Sequence, residues 1–112
     1  MAKPLFKNYN YSFQRHELKL LQNFCKTVVK QMSADEKFFQ EVRTFTSLLD
    51  KLQSSEPEIK LTRDEKTKLA FRLKENRDNM KKEISKGFFI RRWIYKSAYN
   101  QFVNIINNHF ND

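Results

Sequence analysis

The sequence predicts an all-α protein: a single-domain antiparallel four-helix bundle, up-down-up-down, preceded by an extended aromatic N-terminal arm. Three observations lead there. One glycine and two prolines in 112 residues leave almost no material for the tight turns of a many-stranded sheet. Apolar residues recur at three- and four-residue steps through most of the chain. Two Ser/Thr-x-x-Glu boxes stand where helices would begin. With no internal repeat and no break in composition, residues 1–112 read as one domain, a length that buries roughly two-thirds of the unfolded surface.

Residues 1–11 form the expected arm, where Pro4 is followed by Phe6, Tyr9 and Tyr11 among Lys and Asn. A disordered tail with so many aromatics would be unusual, so these rings are expected to lie on the domain. Helix one is placed at about 12–32, because Leu18, Leu21, Phe24, Cys25, Val28, Val29 and Met32 repeat with helical spacing.

Ser33-Ala34-Asp35-Glu36 reads as a capping box, so helix two is placed at about 33–53, with Phe38, Val42, Phe45, Leu49 and Leu52 as its stripe. A fusion of helices one and two into a three-helix arrangement is the main alternative, since no glycine marks their junction. The run Ser54-Ser55-Glu56-Pro57-Glu58 is the one obvious loop, because proline lacks a backbone donor and disfavours helical geometry in the residue before it. Thr62-Arg63-Asp64-Glu65 is a second capping box and opens helix three, about 62–86. Its apolar stripe, Leu69, Leu73, Met80 and Ile84, is thin and interrupted by Asn76, which would fix helix register or sit at an exposed edge, with lining a small cavity as the alternative. Gly87 suits a left-handed helix end.

Helix four, about 88–110, places Ile94, Tyr95, Ala98, Tyr99, Phe102, Val103, Ile106 and Phe110 on its main face. Its first two turns contradict that phase. Phe89, Ile90 and Trp93 project to the side occupied further along by Ser97, Asn100, Asn104 and Asn108, while Arg91 and Arg92 fall on or beside the core face. Either the helix starts irregularly, or the arm covers these rings, or Phe89, Ile90, Trp93, Arg91 and Arg92 make a partner-binding patch.

The formal net charge is +9, from 22 Lys+Arg against 13 Asp+Glu, which attracts polyanions and bears on solubility before specificity. The excess is concentrated in the first and third helical segments, and residues 33–60 are net acidic. On a helical wheel of about 100° per residue, Arg15, Lys19, Lys26 and Lys30 share an acid-free strip of helix one, with Gln22 and Asn23 beside them. Helix three collects Arg63, Lys66, Lys74, Arg77 and Lys81 around Ala70. Such strips are candidates to follow phosphates, and also ordinary solvated flanks with snorkelling stems.

Other chemistry finds little support. A single cysteine, Cys25, allows no internal disulfide, falls on the apolar face and fits a reducing compartment. His16, Glu17 and His109 would converge only at one bundle end, and no Glu-x-x-His pair supports a di-metal carboxylate site, so no metal or other cofactor is expected. No phosphate-binding glycine loop, nucleophile elbow or His-Glu-x-x-His occurs, and Cys25 and His16 lie about 13 Å apart along one helix, too far for a nucleophile and its base. No segment has the run of apolar residues that a membrane span needs.

The expectation is therefore a small basic cytoplasmic protein, not an enzyme and without an evident small-molecule substrate. It would act by binding a protein partner or a second copy of itself through the Phe89, Ile90 and Trp93 region and the basic flanks. Nonspecific nucleic-acid binding through the strips of helices one and three is the second expectation.

Overall fold

The computed structural model describes residues 9–54, 56–85 and 89–110, and the side chains of 89–95 lie outside that description. The chain is a mostly-α domain with four α-helices and one small antiparallel sheet among the described residues. It divides into two compact units, Met1–Lys68 and Leu69–Asp112.

The first unit holds a short strand, β1 (Tyr9–Tyr11), and then α1 (Arg15–Met32). A single 3-10 turn (Glu36–Phe38) leads into α2 (Phe39–Gln53), and β2 (Ile59–Leu61) follows. The amide of Gln22, in the first half of α1, donates to the Leu52 carbonyl in the last turn of α2 at 2.7 Å, so the chain doubles back on itself. α1 and α2 are thus antiparallel neighbours, as expected of consecutive helices joined by a short link. Its core is Leu21, Cys25 and Val28 from α1 with Phe45, Leu48 and Leu52 from α2, all buried. On α2 the buried steps run through Leu48, while Phe38, Val42 and Leu49 of the expected stripe are half-buried.

The sheet is the departure from an all-α fold. β1 pairs antiparallel with β2 in the register Tyr9 to Leu61, Asn10 to Lys60 and Tyr11 to Ile59. In Ile59-Lys60-Leu61 the side chains alternate buried, exposed, buried, the period-2 pattern of a strand lying on a core. Tyr11 is buried and stacks on Phe13 with ring centroids 5.3 Å apart. Residues 9–11 of the expected arm are thus tied down by main-chain hydrogen bonds as well as by their rings. Residues 1–8, with Pro4 and Phe6, lie outside the described residues.

Helix two does not start at Ser33. The Ser33 hydroxyl donates back to the Val29 carbonyl, closing α1, and the Asp35 carboxylate instead accepts the Lys37 amide at 3.1 Å. A short polar side chain can satisfy either a preceding carbonyl or a following amide, and here the competing bond wins at Ser33. The box at Thr62 forms as expected: the Glu65 amide donates to the Thr62 hydroxyl at 3.1 Å, and the Thr62 amide donates to the Glu65 carboxylate at 2.9 Å.

α3 (Arg63–Ser85) begins in the first unit and continues through the second, where Leu69, Ala70 and Leu73 are buried. α4 (Phe89–Ile105) is helical from its first expected turn and ends in a π-helical segment, Ile106–Phe110. Phe102, Ile105, Ile106 and Phe110 are buried along it. The wider π turn replaces the α-helix expected to run to residue 110; Ile106 and Phe110 are buried in it, and Asn107 and Asn108 are exposed between them.

Candidate functional site

On α1 the buried positions Glu17, Leu21, Cys25 and Val28 define one face. At about 100° per residue, Arg15, Lys19, Lys26 and Lys30 lie roughly 150° away from it. All four are exposed, and none forms an ion pair with an acid among the described residues. From Arg15 to Lys30 the strip runs about 22 Å at 1.5 Å per residue. At its N-terminal end Arg15, His16, Leu18, Lys19 and Gln22 line an open groove. Gln22 contributes less than its wheel position implies, because its amide is committed to Leu52.

The lone acid of α1, Glu17, does not oppose that charge from the outer face. It is buried and accepts the Gln14 amide at 2.8 Å, so it caps the helix it belongs to. Sequence reading set Glu17 beside His16 as a conceivable metal ligand, and the capping role was legible in its place three residues after Gln14. His109 is half-buried, edge-on to the Phe110 ring at 6.3 Å.

The strip expected on α3 does not survive as a uniform face. Ala70, at its centre, is buried. Lys66 sits over the Tyr9 ring, 4.9 Å from its centroid, and Arg77 pairs with Asp78 at 3.0 Å. Lys74 is half-buried, and only Arg63 and Lys81 of the five are exposed. Nearby cations are engaged as well: Lys68 pairs with Asp64 at 3.3 Å, and Arg72 with Glu75 at 3.1 Å. Asn76 is half-buried and directs its amide at the Met80 sulfur, 3.9 Å away on the same helix.

The other buried acid, Glu65, anchors the start of α3. Its carboxylate accepts from the Thr62 amide, from the Ser47 hydroxyl at 2.7 Å and from the Lys51 ammonium. Burial by itself would raise its pKa, but the Lys51, Thr62 and Ser47 donors together outweigh it and hold the carboxyl below its ordinary value. Cys25 is fully buried, and burial pushes its thiol up to about 12, so it stays protonated and packs as a small apolar residue.

Among the described residues, no buried side-chain nitrogen or oxygen lacks a hydrogen-bond partner, and no three His, Cys, Asp or Glu side chains converge as a metal site. No helix among them is long and apolar enough to cross a membrane. The expected partner patch, Phe89, Ile90, Arg91, Arg92 and Trp93, has its side chains outside the described residues, and so does Gly87.

Sequence reasoning missed two exposed rings, Phe39 and Phe71, and the first has the clearer setting. Phe39, the first residue of α2, is 60% exposed, and the Arg43 guanidinium lies 5.9 Å from its ring centroid. Its neighbour Phe38 carries the Lys37 ammonium at 5.2 Å. The doublet Phe38-Phe39 was the signal, because adjacent residues on a helix differ by about 100° and cannot both face one core. Compared with protein-family models, with curated proteins and with solved structures, the chain matches none.

Proposed function

We propose that this chain works by non-catalytic binding and that the outer face of α1 is its contact surface, taking the phosphate backbone of nucleic acid. The observation that carries this reading is the exposed, acid-free row Arg15, Lys19, Lys26 and Lys30. Its cations are not spent on the protein's own carboxylates, unlike Lys68, Arg72 and Arg77 of α3. The row offers charge without a buried aromatic anchor, which suits a backbone more than a protein hot spot. The buried ionisable groups support a binding role in another way: Glu17 and Glu65 cap helices, and Cys25 is core.

The test is fluorescence anisotropy of labelled duplex and single-stranded oligonucleotides at low salt. Four neutralised phosphates give a slope of log K against log[salt] of about −3.6 for duplex and about −2.8 for a single strand. The combined variant Lys19→Glu, Lys26→Glu, Lys30→Glu abolishes binding while keeping the far-UV spectrum. No binding at low salt, or binding indifferent to that variant, overturns the reading. Equal competition by polyglutamate reassigns the face to an acidic protein.

A second reading keeps the protein partner or a second copy of this chain, docked through Phe89, Ile90, Arg91, Arg92 and Trp93. What favours it is that α4 is helical from Phe89, so the phase on which that expectation rests is unbroken. Trp93→Ala would then abolish association measured by sedimentation at unchanged thermal stability, and a strongly destabilised variant would make Trp93 a core residue instead.

A further inference from the structure

We infer that the nucleic acid is single-stranded and that Phe39 is a platform on which one of its bases stacks; this rests on the phosphate reading of α1. Phe39 projects from the first position of α2 with 60% of its surface open, too much for a residue that belongs to the core. Arg43, one turn on, reaches its ring and forms no ion pair with an acid among the described residues, so the aromatic face comes with an uncommitted cation. That pairing of an open ring and a positive charge is what sequence-tolerant single-strand binders use, because every base has a face to stack and a phosphate beside it.

The fold brings the two features to one end of the first unit. Lys30 lies in the last turn of α1, residues 33–38 make the link, and α2 opens on Phe39. The nine-residue step from Lys30 to Phe39 spans at most about 32 Å even fully extended, so a strand leaving the α1 row at Lys30 can reach Phe39 within a few nucleotides. A duplex is a poorer fit. Its bases are already stacked on each other and offer the ring nothing. A single strand can lay its phosphates along the α1 row and still present an unstacked base to Phe39.

The other equally open ring sharpens the contrast. Phe71 is 61% exposed with the Arg72 guanidinium 5.8 Å from its centroid, but Arg72 is bound to Glu75 at 3.1 Å, so its charge is already answered.

The experiment uses the full chain, a fluorescein-labelled oligothymidine and a hairpin duplex of equal phosphate count. Oligothymidine is expected to bind more tightly than the hairpin. Phe39→Ala is expected to weaken oligothymidine by about 5- to 150-fold, as one lost base stack implies, and to leave the hairpin unchanged. Phe39→Trp restores the affinity. Because Phe39 is exposed, Phe39→Ala keeps its thermal midpoint, which separates lost stacking from lost fold. Unchanged oligothymidine binding by Phe39→Ala, with its dependence on Lys19, Lys26 and Lys30 intact, overturns the platform and leaves the phosphate reading standing; so does a tighter hairpin. Absence of binding to either probe overturns both.

Discussion

Helices α1 and α3 look alike on a wheel, each with a row of cations, yet the fold uses them in opposite ways. On α1 the only acid, Glu17, turns inward to cap, and Arg15, Lys19, Lys26 and Lys30 face outward without acid partners. On α3 the cations are drawn into local structure: Lys66 over Tyr9, Lys68 with Asp64, Arg72 with Glu75, Arg77 with Asp78. A surplus of lysine therefore says little by itself. What matters is whether carboxylates and rings lie one helical turn or one strand away to absorb it. Stability should accordingly respond to α3 and binding to α1.

The largest effect expected is at the base of α3. Glu65→Ala removes the shared acceptor of Thr62, Ser47 and Lys51 in a carboxylate whose side chain is only 8% exposed. Losing the cap and leaving those donors without it should cost about 2–3 kcal/mol in urea denaturation. A cost below about 1 kcal/mol would show that Lys51, whose side chain is 36% exposed, had been carrying its charge to solvent all along. The pH dependence has a definite sign. Because the folded carboxyl titrates below its ordinary value, its stabilising contribution is present above that ordinary value and is lost as pH falls through the folded one. Urea midpoints followed from neutral pH into the acid range should therefore converge for wild type and Glu65→Gln. Curves that stay parallel would remove Glu65 from the acid limb.

A smaller effect is expected where α3 meets the N-terminal strand. Lys66→Met keeps most of the stem but removes the ammonium 4.9 Å from the Tyr9 ring, a contact worth about 0.5–1 kcal/mol. A double-mutant cycle with Tyr9→Leu isolates the coupling. Zero coupling would return Lys66 to the solvated cations and weaken the contrast between the two helices.

Much of this contrast was legible in the sequence, and the illegible part has identifiable causes. The α1 wheel placed its cations on the outer side because Leu21, Cys25 and Val28 define the inner side without ambiguity. The Thr62 box was readable because both halves of it are local. The strands were not readable: β1 and β2 are three residues each, and their pairing joins positions some fifty residues apart. The fate of Lys66 depended on that same pairing, since it puts Tyr9 within reach. Ala70 failed for another reason, as alanine carries no polarity to mark its face. Phe39 is hidden by its neighbour, because a stripe through Phe38 already satisfies the helical spacing.

The smallest expected effect is also the one that separates the two helices most sharply, because its sign is reversed. Arg15 with Lys19, and Lys26 with Lys30, are like charges four residues apart, an arrangement that costs an exposed helix about 0.2–0.5 kcal/mol per pair. A face that served only solubility would gain from mixing its signs. Lys19→Glu converts one repulsive pair into an attractive one and should raise stability by a few tenths of a kcal/mol, visible as a small rise in urea midpoint at low salt and absent at high salt. The same change should lower oligothymidine affinity and make the salt slope shallower by about 0.7, one phosphate contact's worth. Stability gained together with binding lost would mark the α1 row as charge kept for a ligand. Stability gained with binding unaltered would make it a solvated flank and bring α1 into line with α3.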